Sequence, residues 1–230
     1  MYSTKENLQV LLEDNHLIII NKRVGDIVQG DKTGDKPLSD VVKEYIGQKY
    51  NKPGNVFIGV VHRLDRPTSG IVIFARTSKA LERLNKMLRE KTIKKTYWTI
   101  VKNPPVKEKD TLINYLKKNP KNNKSTAYKT EIEGSKKAIL HYKTIQKLDN
   151  YTLLEVDLET GRHHQIRCQL ANIGSPIKGD LKYGFKRSNK NGGIHLHARK
   201  IEFIHPVSKD KINITSPLPS DVIWSALNTK

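Results

Sequence analysis

KAILHYKTIQKLDNYTLLEVDLE, residues 137–159, contains two runs with the composition of β-strands. Both runs are rich in apolar, aromatic and β-branched residues, which favour extended chain. Asp149 and Asn150 separate the runs, and this pair suits a two-residue hairpin loop. The stretch therefore predicts two neighbouring antiparallel strands.

Strand and helix signals continue on both sides of this hairpin. Strands are predicted in HLIII (16–20), NVFIGVV (55–61), IVIFAR (71–76), KTYWTIV (95–101), STAYKTEI (125–132), HLHARKIEFI (195–204) and KINITS (211–216). Helices are predicted in PLSDVVKEYI (37–46), TSKALERLNKMLRE (77–90), a short segment ending at Gly174, and SDVIWSAL (220–227). Because the strands come mostly in runs, we predict an α+β fold with a mixed, largely antiparallel central sheet flanked by helices. No linker divides the chain, so we expect one domain over residues 1–230.

Positive charge dominates the composition. The 230 residues include 42 Lys and Arg against 23 Asp and Glu, a net charge of +19. Residues 79–147 hold 19 basic and 6 acidic residues, which is +13 of that total. A clustered positive field suits a polyanion such as nucleic acid, although a lysine-rich solubility surface has the same composition. The sequence has no long basic amphipathic helix that would favour a membrane surface.

Several classes of protein are disfavoured. Cys168 is the one cysteine, so an internal disulfide is excluded, and we expect a reducing, cytoplasmic location. No apolar run approaches the length of a membrane span, and the N-terminus lacks the pattern of a secretory signal. No glycine-rich nucleotide-binding motif is present, and the histidines lack the spacing of a metal site, so we expect no cofactor and no metal.

VHRLDRPTSG, residues 61–70, places Asp65 between Arg63 and Arg66, with apolar segments on both sides. A solvated loop with two weak ion pairs is the ordinary interpretation of such a pattern. Alternation along an extended segment would put Arg63 and Asp65 on one face and Arg66 on the other. We therefore expect Arg66 to reach phosphate or solvent.

TGRHHQIRCQLANIGSPIKGDLKYG, residues 160–184, runs from a strand end through a short helix into a Gly/Pro loop. Ile166 and Arg167 are adjacent in this block, so one element offers an apolar surface together with a cation.

These two blocks, with KTYWTIV between them and LHARKIEFIHP after them, resemble the RluA family of RNA pseudouridine synthases. EDNHLIIINKRVGDIVQG also resembles the usual start of that family, and the resemblance runs from about residue 12 to residue 219. It implies a pseudouridine synthase fold with the active-site cleft across the sheet. It also implies a stand-alone catalytic domain, without the small RNA-binding domain that some relatives carry in front.

The resemblance assigns roles to individual residues. It implies that Asp65 is the catalytic aspartate, that Arg63 assists base flipping, and that Tyr97 stacks on the target base. Arg167 matches the cation that pairs with the aspartate, and Ile166 the apolar residue beside the base. His62, Arg162 and His164 are further residues expected to bind substrate.

Two positions depart from the family pattern. Arg23 stands where the family usually has proline, and His163 stands where it usually has a small residue. The second position lies near the expected site, so the role of His163 stays open.

The chemistry of pseudouridine formation agrees with these residues. The reaction needs an ionised carboxylate, and cations beside Asp65 would keep a buried carboxylate charged. It also needs the uridine flipped out of its stack against an aromatic or apolar surface. We therefore expect an isomerase that acts on structured RNA, ribosomal or transfer RNA, as a monomer without an obligate protein partner. A non-catalytic RNA-binding protein and a metal-dependent nuclease are the alternatives.

Overall fold

The computed structural model describes residues 2–227, which form a mostly antiparallel sheet with four helices. The strands are β1 (Val10–Glu13), β2 (Leu17–Lys22), β3 (Gly59–Val60), β4 (Ser69–Ala75), β5 (Lys94–Val101), β6 (Lys109–Asn119), β7 (Lys124–Tyr128), β8 (Lys136–Lys147), β9 (Thr152–Leu158), β10 (Leu196–Ile204) and β11 (Lys211–Thr215). The helices are α1 (Leu38–Lys49), α2 (Ser78–Arg89), α3 (Gln165–Asn172) and α4 (Val222–Ser225). This confirms the predicted α+β class with a mixed, largely antiparallel sheet.

The chain divides into two compact units. The first comprises residues 2–94 and Ala198–Pro219, and the second comprises Lys95–His197 and residues 220–227. The expectation of a single domain over residues 1–230 stays a prediction. Within residues 2–227, none of the helices combines the length and the apolar character that a membrane span requires.

The first unit is built on β2 and β4, whose side chains are almost entirely buried. The two strands pair antiparallel with Ile19 opposite Ile73, and β1 and β3 add to their edges. Helix α1 packs on one face of this sheet through Val42 and Ile46, in one apolar cluster with Phe74. Helix α2 packs against β4 and begins at Thr77, whose hydroxyl accepts the backbone N–H of Ala80 at 3.1 Å.

The second unit is an antiparallel sheet with the strand order β5-β9-β8-β6-β7. The predicted hairpin is present: β8 and β9 pair, and the N–H of Leu148 donates to the carbonyl of Tyr151 at 2.8 Å. Helix α3 packs against β6 and β7, with Cys168 buried against Leu116 and Ala138.

Several elements differ from the sequence prediction, among them α4, which was predicted over 220–227 and spans Val222–Ser225. NVFIGVV forms only the two-residue strand β3, and Phe57 before it is 46% exposed. Strand β7 ends at Tyr128 rather than at residue 132. Strands β1 and β6 were not predicted, although β6 is 11 residues long.

Candidate active site

Asp65 lies in a short turn that is fixed at several points of the first unit. The N–H of Thr68 donates to the carbonyl of Asp65 at 2.9 Å and closes the turn. The next carbonyl, that of Arg66, accepts the N–H of Gly25 at 2.9 Å and the ammonium of Lys22 at 3.2 Å. The half-buried carboxylate of Asp65 is therefore carried on a backbone that has little freedom to move.

Gly70, at the start of β4, fixes the other end of this segment. Its φ of +108° lies in the region that favours glycine, and a Cβ at this position would overlap the backbone of Ala198. The glycine thus allows β4 to approach β10 closely, directly after the turn that carries Asp65.

Lys22 is a buried cation that the sequence analysis did not single out. Its side chain is 1% exposed at the end of β2, and its ammonium donates to the carbonyls of Arg23 at 2.8 Å and Arg66 at 3.2 Å. Burial lowers the pKa of Lys22 to about 7, against the opposing attraction of Asp26 and Asp65. Asp65 thus has a cation in electrostatic range that no motif predicted.

Arg66 is paired with an acid from a distant loop. Its guanidinium donates to Thr33 at 3.0 Å and forms an ion pair with Asp35, 31 residues upstream. Its side chain is still 37% exposed, and the expectation that it reaches phosphate or solvent stays a prediction. Arg63 is exposed and has no described ion pair within residues 2–227.

His62 has a partner in the sheet of the first unit. Its Nε2 accepts the backbone N–H of Ile73 at 3.2 Å, which places the proton of a neutral ring on Nδ1. The first unit therefore holds three of the predicted site residues, His62, Arg63 and Asp65, on one continuous segment.

Tyr97 and Ile166 are both buried in the second unit. Tyr97 is 6% exposed on β5, opposite Val156 of β9, and Ile166 is 4% exposed in the first turn of α3. The neighbouring Trp98 faces the other side of the sheet, where its indole N–H donates to Glu155 at 3.1 Å. Tyr97 is thus on the covered face of the sheet.

The entry to α3 is tightly bonded. His164 precedes the helix with a φ of +53°, an unusual conformation for a buried side chain that is not glycine. The Gln165 side chain accepts the N–H of Arg162 at 3.0 Å and donates to the carbonyl of Ile139 at 3.0 Å. The guanidinium Nε of Arg162 donates to the carbonyl of Lys137 at 2.9 Å. His164 and Arg167 both contact Tyr183, whereas the Arg162 guanidinium is held at the carbonyl of Lys137.

His163 stacks on His164, with ring centroids 3.8 Å apart. Its Nδ1 lies 2.9 Å from the hydroxyl of Ser125 at the start of β7. His163, which departs from the family pattern, therefore connects the segment before α3 to strand β7.

Arg167 is 5% exposed and forms a two-point ion pair with Asp180, which is 1% exposed. Its Nε donates to Oδ2 at 2.7 Å and its Nη2 donates to Oδ1 at 2.9 Å. The ring of Tyr183 lies 5.2 Å from the guanidinium carbon. Asp180 and Tyr183 belong to the quoted block but were not predicted as site residues, because only the fold shows that their side chains meet Arg167.

Residues 111–130, which cover most of β6 and all of β7, have five lysines and no acidic residue. Lys117, Lys118 and Lys121 are exposed near its turn and form no ion pair with any residue between 2 and 227. Other lysines of the same unit are paired with acids: Lys107 with Asp110, Lys143 with Glu155, and Lys147 with Glu108. We call residues 111–130, with these three lysines at the turn, the basic hairpin.

The part of the chain that the structure describes has no group of three or more His, Cys, Asp and Glu side chains arranged to hold a metal ion. The predicted site residues lie in two groups: one on the Asp65 turn of the first unit, and one on β5 and α3 of the second.

Comparison with known proteins gives a consistent result. Residues 16–172 match the family model described as RNA pseudouridylate synthase. An RNA pseudouridine synthase of Synechocystis is 34% identical over 93% of this chain and 66% of its own length. Ribosomal large subunit pseudouridine synthase C of Buchnera aphidicola is 35% identical over 99% of this chain and 72% of its own.

The fold has a match among solved structures as well. The chain superposes on human RNA Pseudouridylate Synthase Domain Containing 4 with a TM-score of 0.78, at 22% identity, over 94% of this chain and 91% of the human one. At this identity the likeness concerns the fold.

Proposed function

Because this chain belongs to the RluA family of RNA pseudouridine synthases, which are isomerases acting on uridine in RNA, we propose that it converts specific uridines of structured RNA with Asp65 as the catalytic carboxylate. In this isomerisation the bond between N1 of uracil and C1′ of ribose breaks, and the base turns. A bond then forms between C5 and C1′; the proton on C5 is lost to solvent and N1 takes up one proton, so the product is an isomer of uridine. No oxidant and no net water are consumed, so the proposal includes no cofactor.

One observation carries the assignment of Asp65. Its carboxylate sits on a turn whose backbone is held by Thr68, Gly25 and Lys22, and the buried ammonium of Lys22 lies in electrostatic range. A group that acts as nucleophile or base at neutral pH needs a fixed position and an ionised state. The pinned turn supplies the first.

The other predicted residues take the roles that the resemblance implies. Tyr97 and Ile166 receive the flipped base, Arg63 assists flipping from its exposed position, and Arg167 is the cation of the reaction. Flipping costs a few kcal/mol, and phosphate contacts offset such a cost. His62, Arg162 and His164 complete the proposed substrate-binding set.

The basic hairpin is the proposed contact with the RNA backbone. Its exposed lysines lack acidic partners within residues 2–227, so their charge is available to phosphates. The Buchnera aphidicola relative is named as a ribosomal large subunit pseudouridine synthase, which makes large-subunit ribosomal RNA the first substrate to test and transfer RNA the second. We propose that the protein acts as a monomer in the cytoplasm, without an obligate protein partner.

Mapping of pseudouridine in total RNA, from cells with and without this protein, tests the function. We expect one or a few uridines to lose their modification when the protein is absent, and to regain it with the wild-type chain. If no position changed, and the purified chain also left these RNAs unmodified, the proposed activity would be wrong. RNA binding without modification would favour the non-catalytic alternative.

A further inference from the structure

The guanidinium of Arg167 is held on one edge by a buried carboxylate. Asp180 takes two of its five N–H donors, at Nε and Nη2, with distances of 2.7 and 2.9 Å. A two-point pair of this kind fixes the plane of the guanidinium as well as its position. The remaining donors, on Nη1 and on the far side of Nη2, then have a defined direction.

The carboxylate of Asp180 is itself placed by its backbone. The N–H of Asp180 donates to Ile177 at 3.0 Å, and its carbonyl accepts N–H groups from Tyr183 at 3.1 Å and Phe185 at 3.0 Å. The preceding Gly179 has a φ of +87°, and a Cβ there would overlap the Asn189 side chain. The loop therefore presents Asp180 to α3 in one conformation.

Tyr183 covers the face of the guanidinium. The centroid of its ring lies 5.2 Å from the guanidinium carbon of Arg167. Its hydroxyl accepts the N–H of Ser125 at 2.8 Å and forms a hydrogen bond with Nδ1 of His164 at 3.0 Å. Burial raises the pKa of Tyr183 to about 12, so the phenol stays neutral at physiological pH. The ring is anchored at its hydroxyl and offers a cation–π contact to Arg167.

This arrangement is not explained by stability alone. A buried ion pair costs desolvation energy, and a well-packed apolar pair at the same place often gives equal or greater stability. The two-point pair also fixes the direction of the guanidinium N–H donors. A rigid set of donors is useful where charge develops during a reaction.

We propose that Asp180 and Tyr183 are positioning residues that set the orientation of the Arg167 guanidinium for the pseudouridine synthase reaction. The inference rests on the proposed function, in which Arg167 serves the chemistry. Asp180 and Tyr183 act through Arg167 and not on the substrate. Substituting either residue should therefore lower kcat and leave the KM for RNA nearly unchanged.

A double-mutant cycle tests the proposal. Asp180→Asn keeps the shape of the side chain but replaces one acceptor oxygen by a donor, so it cannot hold both Nε and Nη2. We expect kcat for tritium release from C5-labelled uridine to fall by roughly 100-fold, the size of effect that a misplaced catalytic group produces. Tyr183→Phe keeps the ring and loses the two hydroxyl contacts, and should lower kcat less.

The Arg167→Met and Arg167→Met/Asp180→Asn variants complete the cycle. If Asp180 acts through Arg167, the double variant should be no slower than Arg167→Met, because the residue to be positioned is already gone. The double variant should also regain thermal stability over either single variant, since neither buried charge is left alone, while its activity stays low. Glu155→Gln, which removes an acid from a pair on the outer face of the same unit, is the matched control and should keep wild-type kcat.

Two results would overturn the proposal: folded Asp180→Asn enzyme with wild-type kcat, or a double variant whose activity returns together with its stability. Either result, obtained while Asp65→Asn is inactive, rejects the positioning role and leaves the proposed function standing. An active Asp65→Asn enzyme rejects the proposed function itself.

Discussion

The basic hairpin gives the sharpest quantitative prediction. Lys117, Lys118 and Lys121 are exposed at its turn, and none has an ion pair within residues 2–227. Each lysine that contacts a phosphate releases counterions, which contributes roughly 0.7 to 0.9 to the slope of log K against log salt. Replacing all three by Ala should therefore flatten the slope by about 2 to 3. Between 50 and 200 mM salt, wild-type affinity should then fall roughly 20- to 40-fold more than that of the variant.

Lys124 is left in place in this variant because its ammonium lies 5.2 Å from the Tyr183 ring, so that its loss would disturb a second site. The control removes the same charge from lysines that already have acidic partners, namely Lys107, Lys143 and Lys147. Binding of a large-subunit ribosomal RNA fragment, measured by fluorescence anisotropy at five salt concentrations, gives both slopes. The choice of uridine should not change, since backbone contacts carry no sequence information. An unchanged slope in the hairpin variant, or an equal change in the control, would refute the reasoning.

Two further predictions concern the support of the Asp65 turn. The pKa of Lys22 is about 7 in the folded chain and near 10.5 in the unfolded chain. Between pH 7 and pH 10.5 the unfolded chain therefore binds more protons than the folded chain, so the contribution of Lys22 to the free energy of unfolding rises with pH. In urea unfolding, the wild type should gain about 1.2 kcal/mol per pH unit on average relative to Lys22→Met between pH 7 and 9, and a constant difference would contradict the burial of a titrating ammonium. Gly70→Ala forces a Cβ into the backbone of Ala198 at a φ of +108°, so it should cost at least about 2 kcal/mol in the same assay. Wild-type stability in that variant would mean that β4 and β10 do not approach as described.

The sequence predicts those elements whose signals are local. Thr77 marks the start of α2, and Asp149 with Asn150 marks the turn between β8 and β9, because caps and tight turns depend on adjacent residues. Strand β6 was missed because its buried face includes the polar Asn114. Its amide oxygen accepts a bond from Gln169 of α3 at 2.8 Å, a partner 55 residues away that no local pattern reveals.

The same limit applies to the candidate site. Motifs single out Asp65 and Arg167 as candidates, since the residue types stand in a specific order. The motifs do not show that Arg66 is paired with Asp35, or that the buried ammonium of Lys22 donates to two backbone carbonyls. These contacts depend on the path of the backbone between distant segments, and so do the partners of Arg167.

The most direct test of the account is tritium release from C5-labelled uridine in RNA by Asp65→Asn. The substitution keeps the shape of the side chain and removes its charge, so it removes the nucleophile or base. We predict no detectable release, with RNA affinity within about twofold of wild type, because the backbone contacts of the hairpin are untouched. Asp149→Asn, in the exposed turn between β8 and β9, is the matched control and should release tritium at the wild-type rate. Release by Asp65→Asn at a substantial fraction of the wild-type rate would contradict the central claim that this carboxylate performs the chemistry.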